Sequence, residues 1–288
     1  MSARLSGVAR RLFLLALAAA LGPAAASGGE IYWVDNFTGK VQQAALDGSG
    51  ITDLVSLGRG VFPYGITVDP GGGKVYWTQS PGPFNVQSAN LNGSNPAGVT
   101  FSPLPLGITV DAAAGKLYWA DVRAHAVRRS NLDGSNLTDL ASSPVPVFLA
   151  LDPKAGKIYW TDTGSTLTRG DGRLRRANLD GSGVEDVLTG LDDPSGIALD
   201  LAAGKVYWTD LLAHQINRAN LDGSGVQTLI RGARDPIGLA LDPTAGKFYW
   251  TDDSLGLIQR ANLDGSGAEV VVRGLVNPAG IALVSDAP

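Results

Sequence analysis

The sequence predicts an all-β fold: a six-bladed β-propeller of four-stranded antiparallel blades, closed by a C-terminal strand pairing in the N-terminal blade. Three observations predict it. Every tryptophan of the 288-residue chain sits in a Y-W-x-D or closely similar run, at Trp33, Trp77, Trp119, Trp160, Trp208 and Trp250. Those tryptophans are separated by 44, 42, 41, 48 and 42 residues, a period that belongs to solenoids and propellers. Each period holds four short β-rich runs punctuated by Gly, Pro and Asp-Gly turns, with no helical periodicity, which reads as a four-stranded meander.

The elements follow in order within each period. The first strand, A, is the P-x-G-I-A-L-D run of which Pro194 to Asp200 is an example. Blades converge at the axis, so small residues such as Gly196 and Ala198 fit one face while Ile197 and Leu199 fill the other. Strand B carries Tyr and Trp, each able to bury about 150–250 Å² in the wider space between blades. Strand C is the I-x-R-A-N run. It leads into Leu-Asp-Gly-Ser-Gly, a tight turn in which Gly accepts positive φ and Asp bonds to nearby backbone. Strand D is the apolar stretch that follows, such as Val226 to Ile230. The repeat begins on a strand B at Glu30 and ends on a strand A at Val284. The last strand therefore completes the first blade and removes the open edges that invite aggregation. One propeller domain over residues 28–285 is expected.

Residues 1–26 read as a signal peptide. Arg4, Arg10 and Arg11 precede an apolar run from Leu12 to Leu21, and Ala24-Ala25-Ala26 offers a cleavage site near Ala26. The run falls short of the roughly 20 residues a spanning helix needs, so no stable membrane insertion is expected. Ala9-Arg10-Arg11-Leu12-Phe13-Leu14-Leu15 is also similar to a twin-arginine signal, departing at Ala9 and Leu15, and the export route stays open. Either route ends in the periplasm or outside the cell.

Composition narrows the chemistry. The absence of Cys excludes thiol nucleophiles, disulfides and cysteine-ligated metals, and two His leave little room for a histidine site. A net charge of −4 with no Lys/Arg block excludes the footprint of a nucleic-acid binder.

The six Y-W-T-D-type runs, each followed by a form of R-A-N-L-D-G-S, resemble the YWTD repeat of low-density-lipoprotein-receptor class B propellers over essentially the whole predicted mature chain. The resemblance implies a six-bladed propeller that serves protein interaction and not catalysis. The sequence departs from the pattern at Gln79 (for Asp), Val34 and Ala120 (for Thr), and Phe148 (for the strand-A Gly). It departs also at Gln43 and Ser88, where other copies have Arg129, Arg176, Arg218 and Arg260. The cysteine-rich modules that flank the animal receptors' propellers are absent from the sequence, which leaves the fold expectation intact and receptor-like uptake unsupported.

The motif acids Asp35, Asp121, Asp162, Asp210 and Asp252 recur in phase, as do those ending strand A and those in L-D-G. Repetition predicts a structural role, because a catalytic acid or metal ligand should be singular. His125 and His214 share the slot that holds Gly39 and Gly256, so both read as turn residues. No catalytic residues, metal or cofactor are expected.

Function should sit where the copies differ, in the B–C and D–A loops that alternating strand directions gather on one face. Phe37, Phe62, Tyr64, Phe84 and Phe101 cluster in the first two and a half repeats as a candidate aromatic patch. The fourth blade has a longer B–C loop, Thr163 to Arg173, with Arg169-Gly170-Asp171 inside it, a triplet best explained by chance. Arg234 and nearby acids make that side polar. The expectation is a monomeric, exported binding propeller engaging a protein or glycan ligand through this face. Two alternatives remain: a metal-dependent, lactonase-like hydrolase or lyase, and a passive envelope scaffold.

Overall fold

The computed structural model describes residues 28–164 and 169–285. The predicted signal peptide lies outside them, as do residues 165–168 of the long fourth B–C loop.

Six four-stranded antiparallel sheets form a six-bladed propeller. Blade 5 shows the pattern: Pro194–Asp200, Lys205–Asp210, Gln215–Asn220 and Gln227–Arg231 run from the axis outward as strands A to D. Blade 1 is assembled from both ends of the chain. Its strand A is Pro278–Val284, paired antiparallel with strand B, Glu30–Asp35, from Glu30 opposite Val284 to Asp35 opposite Pro278.

The side chains of strand B explain why the ring closes. The core divides into six hydrophobic clusters, one per blade interface, in each of which the Tyr of one blade meets the Trp of the next. Tyr32 shares a cluster with Trp77, Tyr118 with Trp160, Tyr159 with Trp208, Tyr207 with Trp250, Tyr249 with Trp33, and Tyr76 with Trp119. All six indoles are fully buried. At the axis the inner strands approach so closely that a methyl group at Gly65 would lie 2.4 Å from the Leu106 carbonyl and one at Gly196 2.4 Å from that of Ile237. Glycine there is a requirement of spacing.

Two polar ties reinforce the interfaces. The Thr of Y-W-T-D donates to a strand-A carbonyl of the next blade: Thr78 to Leu106, Thr161 to Ser195, Thr209 to Ile237 and Thr251 to Ala279, at 2.5–2.9 Å. The strand-C Arg reaches the Leu carbonyl of the next L-D-G turn: Arg129 to Leu179, Arg176 to Leu221, Arg218 to Leu263 and Arg260 to Leu46, at 2.9–3.2 Å. The departures now have a location. Val34 and Gln43 stand where both ties from blade 1 to blade 2 would start, and the buried Gln43 Oε1 has no hydrogen-bond partner. Among the described residues, Asn36 Nδ2 donating to the Pro63 carbonyl at 3.1 Å is the side-chain bond across this seam.

The indoles differ in the same instructive way. Trp119 and Trp160 donate to Ser102 and Ser143, at 2.7 and 2.8 Å, whereas the buried Nε1 atoms of Trp208 and Trp250 lack partners. Ala233 occupies in blade 6 the position of those serines, three residues before the strand-A proline. Ala233→Ser is expected to supply the missing acceptor and stabilise the fold by about 1 kcal/mol, read as a rise in urea midpoint at constant m.

Candidate functional site

The loop face is built on the motif aspartates. Asp121 Oδ1 accepts from the Ala124 amide at 2.9 Å in its B–C turn and from the Leu104 amide at 3.3 Å in the D–A loop entering the same blade, while Ser102 donates to its other oxygen. Asp162 does the same with Gly164, Val145 and Ser143. Asp35 joins Thr38 to Val276, Asp210 joins Ala213 to Asp192 and Asp193, and Asp252 joins Leu255 to Arg234. These carboxylates are internal staples that hold the two loops of each blade together. In blade 2 Gln79 has another task, accepting from Trp77 Nε1 at 2.9 Å. The aspartates ending strand A cap the A–B turns through backbone amides, as Asp200 does for Ala203 at 2.9 Å.

His125 and His214 adopt φ of 51° and 55°, beside 64° and 62° at Gly39 and Gly256. Their Nδ1 atoms engage the carbonyls of Pro144 and Arg234, pinning the B–C turn to the D–A loop. They are turn residues in geometry and in bonding.

The predicted aromatics do not all lie together. Phe37, Phe62, Phe84 and Phe101 stand on the loop face, 67, 42, 47 and 55% exposed. Tyr64 is different: its ring turns inward and stacks on Phe148, 5.5 Å between centroids and 30° between planes. Phe148, the residue replacing a strand-A glycine, thus joins Tyr64 over the central channel. The cavity beside this stack has a volume of about 350 Å³ and is walled by strand-A residues including Ile66, Thr109, Ala150, Leu199 and Ile281, with no ionisable side chain in its lining. The sequence marked Phe148 as a departure without disclosing its partner, because the pairing joins blades two apart in the ring.

The acidic side of the mouth was also incompletely legible. Asp193 lies near Tyr64, and burial, with the neighbouring Asp210 carboxylate second, pushes its pKa up to about 6. Burial likewise raises Asp253, which accepts a 2.6 Å bond from Asn277. Burial, then the charge of Asp193, raises the Tyr64 hydroxyl to about 12. Arg169 forms a 3.8 Å ion pair with Asp192, Asp171 is half-buried, and Arg234 is exposed. Among the described residues no three His, Cys, Asp or Glu side chains converge in a way that could hold a metal ion.

The Asp193 shift has a defined sign. Its folded pKa exceeds the unfolded value near 3.9, so the carboxyl costs nothing below about pH 4 and costs progressively more as pH rises through 6. Asp193→Asn is expected to stabilise the fold at pH 7 by about 1 kcal/mol, allowing for solvent screening of a half-exposed group, and by nothing at pH 3.5. Paired urea titrations at the two pH values measure it, and an equal gain at both would refute the assignment.

Known proteins share this architecture. The model of low-density lipoprotein receptor repeat class B matches residues 204–243 and 246–283, the last two repeats of the chain. No curated protein matches the sequence. Among solved structures, a chain of a nidogen/laminin complex superposes with a TM-score of 0.79 at 20% identity, over 90% of this chain and 100% of that one. A calcium-binding protein, regucalcin, from Agrobacterium tumefaciens str. C58 gives 0.62 at 16% identity, over 76% and 77% of the two chains. TolB from Acinetobacter baumannii gives 0.71 at 12%, over 89% and 66%. These likenesses are likenesses of fold.

Proposed function

We propose, for a YWTD-type propeller whose last two repeats match the low-density lipoprotein receptor class B model, that it is an exported binding module engaging a protein ligand through its loop face. The observation that carries the reading is the division of labour between motif and loop. The repeated chemistry-bearing residues are consumed in staples and ties, while four phenylalanines stand exposed on the face where the copies differ. Exposed aromatics on a rigid scaffold are the usual anchors of protein recognition. The nidogen/laminin complex contains a chain of this propeller shape, which supports a binding role at the level of the fold.

Export rests on the n-region, apolar run and A-x-A of residues 1–26. Mature protein is expected to begin just after Ala26, read by N-terminal sequencing of material from the culture medium or periplasm. Regucalcin is a calcium-binding protein, but the strand-A acids here are engaged by turn amides and the lining of the channel cavity carries no acid. A crosslinking pull-down from the producing cell tests the binding function. Phe37→Ser/Phe62→Ser is expected to lose the partner that the parent retains, and equal capture by both would overturn the reading.

A further inference from the structure

Five arginines of the loop face differ from those on the strands in having no internal use. On the strands, Arg128, Arg175, Arg176 and Arg260 pair with Asp139, Asp186, Glu185 and Glu269 at 2.6–2.8 Å. Arg129 and Arg218 reach carbonyls of the next blade. Lys74, Lys116, Lys157, Lys205 and Lys247 each donate to an Asn of strand C, and Lys40 pairs with Asp53. By contrast Arg59, Arg123, Arg231, Arg234 and Arg273 are exposed, and none of their guanidinium groups makes a hydrogen bond or ion pair among the described residues. All five stand on B–C or D–A loops or at the strand-D ends that open onto them.

The opposite face carries a ring of exposed acids. There Asp47, Asp133, Asp180, Asp222 and Asp264 are exposed, and the Ser two residues on donates its amide to each at 2.8–2.9 Å. The hydroxyl of that Ser, with its amide second, holds all five carboxyls below the usual range. An anion is therefore met by unpaired guanidinium on the loop face, although the chain as a whole is negative.

Resting on the loop-face reading, we infer that the ligand is an acidic protein segment that also carries apolar side chains, lying across Arg231, Arg234 and Arg273 and onto Phe37 and Phe62. Order along the rim gives it a path. Arg231, Arg234 and Arg273 belong to the loops leaving blades 5 and 6, Phe37 to blade 1, and Arg59 and Phe62 to the loop from blade 1 to blade 2. A protein fits this face better than an anionic bilayer. Asp192, Asp193, Asp235 and Asp253 interleave with the arginines, and a continuous plane of lipid phosphates would press against them. A polypeptide places its acids opposite the arginines alone.

The test uses the full mature chain and three synthetic probes. These are a glutamate-rich peptide containing leucine and phenylalanine, its lysine-rich counterpart, and phosphatidylcholine vesicles containing phosphatidylglycerol. The acidic peptide is expected to bind saturably, the lysine peptide and vesicles not at all. Affinity should fall about tenfold from low to high salt, and about tenfold in Arg231→Glu/Arg234→Glu/Arg273→Glu with its melting temperature unchanged. Phe37→Ser/Phe62→Ser should weaken it separately. Vesicle binding without peptide binding, or peptide binding indifferent to the charge reversal, overturns the inference. A pull-down partner that is lost with the Phe pair but kept by the Arg triple variant would overturn it while leaving the binding function standing.

Discussion

Deletion of Pro278–Val284 is expected to abolish the folded ring. This strand supplies the inner edge of blade 1, pairing along the whole of Glu30–Asp35. Its Ala279 carbonyl receives the Thr251 tie from blade 6, and Ile281 packs in the cluster that holds Trp33 and Tyr249. Without it Glu30–Asp35 becomes an open edge and two interfaces lose a wall. The loss exceeds the whole stability of a typical domain, about 5–15 kcal/mol. The truncated chain should show no cooperative melt by circular dichroism and should elute as aggregate. A sharp thermal transition near that of the parent would disprove the closure argument.

The second large effect is expected at Asp121. Its carboxylate is fully buried, accepts from two backbone amides and from Ser102, and lies 3.6 Å from the Arg128 guanidinium. Asp121→Ala leaves those donors facing a cavity and is expected to cost about 3–5 kcal/mol. Asp121→Asn keeps an acceptor for the amides and should cost less than half as much. Urea midpoints at unchanged m give both numbers, and equal losses would show that volume, not hydrogen bonding, sets the effect.

The fold was legible because its determinants repeat. Tyr and Trp in phase define six interfaces, and a repeat array whose first strand is a B and whose last is an A closes by pairing the two. The structural role of the aspartates was legible for the same reason, and the bonds of Asp121 and Asp162 give it a form. What resisted reading was whatever depends on distance across the ring. Tyr64 looked like a surface aromatic because its neighbours in sequence are, yet it points inward to Phe148, 84 residues away. The partial burial of Asp193 and Asp253 depends on neighbouring blades, and no local pattern records it. The free arginines were visible as residues, but their lack of partners is a property of the folded surface.

The seam between blades 1 and 2 bears on how six unequal sectors make a full circle. Blades of differing loop length and side-chain volume do not each subtend an identical angle, and closure forces the sum to 360°. Directional bonds from both Thr and Arg stiffen the interfaces that follow blades 4, 5 and 6. The joint after blade 1, with Val34 and Gln43 in those slots, has neither tie and is held by the packing of Tyr32 against Trp77 and by the single side-chain bond from Asn36 to the Pro63 carbonyl. Among the described residues no other joint lacks both ties, and Phe37 and Phe62 stand at the two lips of this one.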